Sequence, residues 1–236
     1  MASARLPGKP LADIAGRPMI VHVLLRALAA GIGPVAVACA EPEIAEAVRA
    51  AGGIAVLTDP ALPSGSDRVH AALTALDPGG QHDIVLNLQG DFPLIEPAQL
   101  RAALRPLENP AFDIGTLVTP ILDEAEANAA SVVKAACAFA AGQSCAPALY
   151  FSRVGIPSGD GPRWHHIGVY AWRRPALDRF VTLPPTLLER RETLEQLRAL
   201  EAGMRIGCAR IDRAVAGVDT PADLARVRRS LGHEDR

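Results

Sequence analysis

The sequence predicts an α/β fold: a mostly parallel β-sheet covered by helices on both faces, with an antiparallel excursion in the second half. Three observations carry this. Short apolar runs alternate with helix-spaced segments between residues 17 and 118, the rhythm of parallel strands joined by crossover helices. Between residues 132 and 172, extended runs follow one another with no clear helical segment between them. Finally, 49% of the 236 residues are apolar but only 4% aromatic, so the core is aliphatic and lets helices pack closely on a sheet.

The elements follow in order. Residues 17–30 (RPMIVHVLLRALAA) carry the apolar spacing of a helix, with Gly31 as its stop. Residues 34–39 (PVAVAC) read as a strand. Residues 43–51 read as a helix closed by Gly52-Gly53, and 54–57 as a further strand. Residues 67–76 are helical, 84–88 extended, 97–104 helical and 114–118 extended. The excursion comprises extended runs at 132–139, 148–152 and 167–172. Helices are expected at 175–181, 187–202 and 222–231, with a strand at 206–211 between the last two. The length fits one domain over 1–231. Residues 158–162 (SGDGP) have the composition of a flexible loop, and 232–236 of a frayed tail.

Composition narrows the function. A formal charge of −2 and the lack of a Lys/Arg block leave no footprint for a nucleic acid partner. No apolar run reaches the roughly 18 residues of a membrane span. Arg5, Lys9 and Asp13 interrupt the start, so it does not read as a signal peptide. Cys39, Cys137, Cys145 and Cys208 never show Cys-x-x-Cys spacing, which argues for free buried thiols in a reducing cytoplasm.

Residues 5–11 (RLPGKPL) hold the strongest chemical signal. Arg5 and Lys9 flank a Pro-Gly turn. A glycine lets backbone amides approach an anion, and a lysine adds a mobile point charge. Such a loop suits a polyphosphate; an exposed basic turn is the plainer alternative. Asp91 follows the strand at 84–88 through Gln89-Gly90. Beyond a strand's carboxyl end it is placed to hold Mg2+, which takes few protein carboxylates, or else to serve as a turn Asp. Asp219 lies in Gly217-Val218-Asp219-Thr220-Pro221 ahead of a helix, as a second metal carboxylate or as an ordinary cap. In Ser64-Gly65-Ser66-Asp67-Arg68, small residues admit a base or sugar and Arg68 offers a planar fork; a cap followed by a solvated Arg is the alternative. His165 and His166 open a strand and point to opposite faces, so one could line a pocket. Glu189, Glu192 and Glu195, three apart, would share one helical face, either solvated or facing a polyhydroxylated substrate.

Together RLPGKPL, GRPMIVHVLLRA, SGSDR, VLNLQGDFPLI, ALYFSRVGIP, HHIGVYAWR, LERRETLEQLRAL and GVDTPADLARVR occur in register over residues 3–231. They resemble the 3-deoxy-manno-octulosonate cytidylyltransferase (CMP-Kdo synthetase) family. The resemblance implies a Rossmann-like doubly wound fold of the nucleotide-diphospho-sugar transferase type, with residues 132–172 serving sugar binding and dimerisation. It implies an enzyme that joins CTP to the acidic keto-sugar Kdo, releases pyrophosphate and makes CMP-Kdo for lipopolysaccharide. It further implies Mg2+, a homodimer and a cytoplasmic location. By motif, Ser3, Arg5 and Lys9 would contact the CTP phosphates, and Asp91 and Asp219 would hold magnesium. Arg68, Gln89, His166, Glu189 and Gln196 would line the sugar site or the base edge.

Two departures stand out. The family pattern opens with a hydrophobic strand and a Pro-Ala-Arg segment ahead of the loop, and neither is present here. Either the start lies upstream of Met1, which is the expectation, or part of the triphosphate cradle is lost. Phe92 stands where the family carries Glu after Gln-Gly-Asp, which removes a charge beside the metal. That keeps open another acidic sugar, such as sialic acid or an amino-Kdo. The incomplete start keeps open a non-catalytic nucleotide-sugar binding protein.

Overall fold

A computed structural model of the chain describes residues 6–234, and side chains from 6 to 231. The chain forms two compact units, each assembled from separated stretches. Met1–Gly80, Leu88–Leu100 and Val215–Arg236 form the first; Gln81–Asn87 and Arg101–Ala214 form the second.

In the first unit, a single 3-10 turn at Lys9–Leu11 leads into a hairpin of β1 (Asp13–Ile14) and β2 (Arg17–Pro18). Its two central residues, Ala15 and Gly16, have φ of 50° and 80°, the left-handed pair that a tight hairpin turn requires. The helix Met19–Ala30 follows at once and buries Met19, Ile20, Val21, Val23 and Leu24. Strands β3 (Ala36–Cys39) and β4 (Ile54–Leu57) pair in parallel, connected through the helix Pro42–Ala50. That helix lays Ile44, Ala45 and Val48 against Ile20, Val21 and Leu24. A second cluster joins Ile14 and Met19 to Val218, Leu224, Val227 and Leu231, with Leu6, Ala12 and Leu94 packed beside it. Each such aliphatic side chain contributes about 1.5–3 kcal/mol on burial. This cluster holds three segments together that are far apart in sequence.

The second unit is built on a six-stranded sheet of β5 (Ile84–Asn87), β6 (Ile114–Pro120), β7 (Lys134–Cys137), β8 (Cys145–Ser152), β9 (Trp164–Arg173) and β10 (Ile206–Arg210). The order is β5-β9-β6-β10-β8-β7. β6 and β10 pair in parallel; β9 lies antiparallel between β5 and β6, and β8 antiparallel between β10 and β7. Four of the six strands therefore run one way. β9 also pairs with β7 through Trp164 and His165, closing a ring of five strands. The antiparallel excursion expected from sequence is this trio β7, β8 and β9. Close packing is enforced at Gly207, where a Cβ would come within 2.6 Å of Pro106 Cβ. The four cysteines are free, with Cys39, Cys137 and Cys208 buried.

The helix expected over 187–202 is two helices, Leu187–Glu192 and Gln196–Glu201. Thr193 breaks them at φ 54°, a conformation that costs a β-branched residue about 1–3 kcal/mol. Tertiary bonds offset this. The Glu192 carboxylate accepts from Ser152 Oγ at 2.8 Å and from the Arg153 amide at 2.9 Å, and Arg153 Nε donates to the Glu192 carbonyl. Glu189, Glu192 and Glu195 thus do not share one face. The last helix runs Pro221–Glu234, so residues 232–234 continue it rather than form a tail.

Candidate active site

Lys9 sits inside the 3-10 turn, with Gly8 at φ 67° turning the chain into it. The turn is fixed by backbone bonds, Leu11 N to Gly8 O at 2.9 Å and Met19 N to Ala12 O at 2.9 Å. Leu6 and Ala12 anchor it on the second apolar cluster. The same cluster holds Val218, whose amide donates to the Asp91 carbonyl at 2.9 Å. Packing therefore brings together three residues that lie 82 and 210 positions apart. Lys9 Nζ donates to Asp91 Oδ2 at 2.9 Å and to Asp219 Oδ1 at 3.3 Å. The side chains of Lys9, Asp91 and Asp219 are 14%, 27% and 58% exposed, so Asp91 makes the stronger of the two ion pairs.

Neither aspartate is spent on capping the last helix. Thr220 and Asp223 do that: Asp223 N donates to Thr220 Oγ1 at 3.2 Å, and Asp223 Oδ2 accepts from Thr220 N at 3.0 Å and Asp219 N at 3.2 Å. Burial alone would raise the Asp223 carboxyl, but the bonds from Thr220 and the Asp219 amide hold it below the usual range. The Thr-x-x-Asp spacing of a capping box was legible in residues 220–223. The Asp219 carboxylate is left to face Lys9.

A divalent cation fits this pair. Asp91 Oδ1 is buried with no hydrogen-bond partner, an orphaned acceptor that costs free energy until something positive meets it. Among the described residues, no cluster of three or more His, Cys, Asp or Glu side chains could hold a metal. A two-carboxylate site suits an ion that takes its other ligands from water and phosphate. Phe92 packs beside this loop: a Cβ on Gly217 would lie 3.3 Å from its ring.

The other residues singled out in the first unit gather at a neighbouring loop. Ser64 caps the helix Gly65–Leu76 by accepting from Asp67 N. Arg68 donates to Thr58 Oγ1 at 2.5 Å and to the Asp59 carbonyl. The Gln89 amide lies against Gly65, 3.7 Å from where its Cβ would be. Ser3 and Arg5 lie outside the described residues.

In the second unit, His165 and His166 do face opposite ways. His165 Nδ1 meets Glu126 at 2.8 Å, while His166 is buried with Nε2 3.0 Å from Thr116 Oγ1. Burial, with the neighbouring His165, pushes His166 down to about 3. Glu189 accepts from the Thr186 amide and pairs with Arg198. Burial would raise its carboxyl, but the bonds from Arg198 and Thr186 outweigh that and lower it. Gln196 is buried, and its Nε2 has no partner among the described residues. Sequence reasoning passed over Lys134, which is fully buried in β7 and donates to the carbonyls of Ala129, Val132 and Arg153. Its one signal was a charge within an apolar run.

A family model described as cytidylyltransferase matches residues 1–206. The chain belongs to that family. It is 56% identical over 231 residues to the 3-deoxy-manno-octulosonate cytidylyltransferase of Paramagnetospirillum magneticum, covering 98% of this chain and 94% of the relative. It is 60% identical over 232 residues to the enzyme of the same name from Rhodopseudomonas palustris (strain BisB5), again covering 98% and 94%. A solved CMP:2-keto-3-deoxy-manno-octonic acid synthetase complexed with CTP superposes with a TM-score of 0.88 at 40% identity, covering 98% of this chain and 95% of that one. Apo UDP-glucose pyrophosphorylase shares the fold at 11% identity, with a TM-score of 0.65 and coverage of 98% and 92%. The resemblance drawn from the eight cytidylyltransferase motifs, and the α/β fold class it implies, are borne out.

Proposed function

We propose that this cytidylyltransferase couples CTP to 3-deoxy-manno-octulosonate, giving CMP-Kdo and pyrophosphate for lipopolysaccharide biosynthesis. The observation that carries the chemistry is the convergence of Lys9, Asp91 and Asp219 at one point. The sugar is chosen on the relatives, whose names specify it at 56–60% identity over almost the whole chain. They do not favour another acidic sugar or a non-catalytic role.

The reaction is in-line attack of the sugar's anomeric hydroxyl on the α-phosphorus of CTP, which demands positioning and charge neutralisation more than covalent catalysis. Asp91 and Asp219 would hold Mg2+. That ion supplies polarisation of the phosphoryl oxygens and a lower pKa for the attacking hydroxyl. Lys9, with Ser3 and Arg5, would hold the triphosphate and stabilise the departing pyrophosphate. Arg68, Gln89, His166, Glu189 and Gln196 would line the sugar site or the base edge. A homodimer and a cytoplasmic location come with the family and are proposed with it. No helix among the described residues is long and apolar enough to cross a membrane.

Pyrophosphate release, assayed with CTP and a panel of acid sugars, tests this reading. Release with Kdo well above that with sialic acid is expected. Preference for another sugar would move the assignment, and no release with any sugar would refute it.

A further inference from the structure

The carboxylate pair already contains a cation, and it belongs to the chain. Lys9 Nζ bonds both Asp91 Oδ2 and Asp219 Oδ1, where the proposed function places Mg2+. An ammonium and a divalent ion cannot both occupy that point, because they repel each other and compete for the same oxygens. The residue type matters. The chain has only two lysines, Lys9 and Lys134; the rest of its 24 Lys and Arg positions are arginine. An arginine would fill the site with a rigid planar fork, whereas lysine brings a compact charge on a flexible stem that can leave. Asp219 is 58% exposed and the Lys9 side chain 14%, so the outer carboxylate of the pair is reachable from solvent. Asp91 Oδ1 is buried and unpartnered, so the ammonium satisfies only half of that carboxylate.

We propose that Lys9 is a built-in counter-cation, which neutralises Asp91 and Asp219 in the metal-free protein and gives up its place when a divalent ion binds. The inference rests on the metal reading of the carboxylate pair. Lys9 thus has two positions. In one it screens two carboxylates that would otherwise repel each other. In the other its ammonium is released from them and is available to a phosphate. The exchange makes metal binding and phosphate recognition cooperative: each ion pair lost to the metal frees charge for the anion.

Two measurements test the exchange without relying on turnover. The first is acetylation of lysine by acetic anhydride, followed by mass spectrometry, with and without Mg2+ and without nucleotide. Lys134, fully buried, is the internal reference. Lys9 is expected to label several-fold faster with Mg2+ while Lys134 does not change. Equal or slower labelling of Lys9 would overturn the proposal. The second is Mn2+ binding followed by electron paramagnetic resonance. Lys9→Met is expected to bind Mn2+ about tenfold more tightly than the unaltered chain, as two contacts of partly exposed charges no longer compete; equal or weaker binding would overturn the proposal. Asp91→Asn separates the two levels of the argument. If it loses Mn2+ but Lys9 shows no exchange, only the counter-cation falls. If it binds Mn2+ as the unaltered chain does, the metal reading falls and takes the counter-cation with it.

Discussion

In the first unit β3 buries one of its four residues and β4 none, whereas in the second β6 buries six of seven and β10 four of five. The charged residues divide in the same way. Lys9, Asp91 and Asp219 are partly exposed and held by loops. Lys134, His166 and Arg198 are buried, and they bond to backbone carbonyls, Thr116 and Glu189 of their own unit. Reactive charges need access to solvent and ligand, and they sit where packing is lighter. Buried polar groups need partners on every side, and they sit where the sheet closes into a ring. Substitutions at Lys9, Asp91 and Asp219 should therefore be felt first in activity, and those at the buried polar groups of the second unit first in stability.

The largest expected effect is on turnover. Asp91→Asn should lower pyrophosphate release by about 1,000-fold or more, since several kcal/mol of barrier stabilisation depends on that charge. Its melting temperature should stay close to that of the unaltered chain. A variant that melts early but turns over normally would break the contrast.

Next comes the core. Phe151→Ala in β8, at a fully buried position, should cost about 3–5 kcal/mol in denaturant unfolding. Val37→Ala in β3, only partly buried, should cost about 1 kcal/mol or less. Equal costs would mean that the two units are packed alike.

Acid sharpens the contrast further. His166 titrates at about 3 in the folded chain because it is buried, and near 6.5 when unfolded. Between those values the unfolded chain binds the extra proton. Stability is therefore full above about pH 6.5 and drains as pH falls toward 3, by up to ~1.4 kcal/mol per unit. His166→Gln, which can still meet Thr116, should flatten that slope in acid unfolding curves.

The smallest effect tests a residue with two readings. Glu189→Gln weakens the bond to Arg198 and should cost about 1–2 kcal/mol of stability. If Glu189 also touches the sugar, the KM for Kdo rises in the same variant; a structural role alone leaves that KM unchanged.

Much of this was legible in the sequence. Short apolar runs marked β4, β5 and β10 within a residue or so, because strand residues are apolar even where packing covers them only in part. The chemistry-bearing types at Lys9, Asp91 and Asp219 were also visible, beside glycines and at strand ends. Their meeting was not. It depends on Ile14, Met19, Val218 and Leu224 packing together, and side chains 210 positions apart leave no local trace of that. The break at Thr193 was hidden for a similar reason. Local spacing favoured one helix, and the bonds from Ser152 and Arg153 to Glu192 decided otherwise. The use of Thr220 and Asp223 as the cap was readable, and it frees Asp219 for another role.

The claim beneath all of this is that Asp91 and Asp219 grip one divalent ion. Anomalous diffraction from crystals grown with Mn2+ and CTP tests it directly. The account predicts a peak about 2–2.3 Å from an oxygen of each aspartate, with the Lys9 ammonium no longer between them. A peak bound to neither carboxylate, with Lys9 still bridging both, would contradict it.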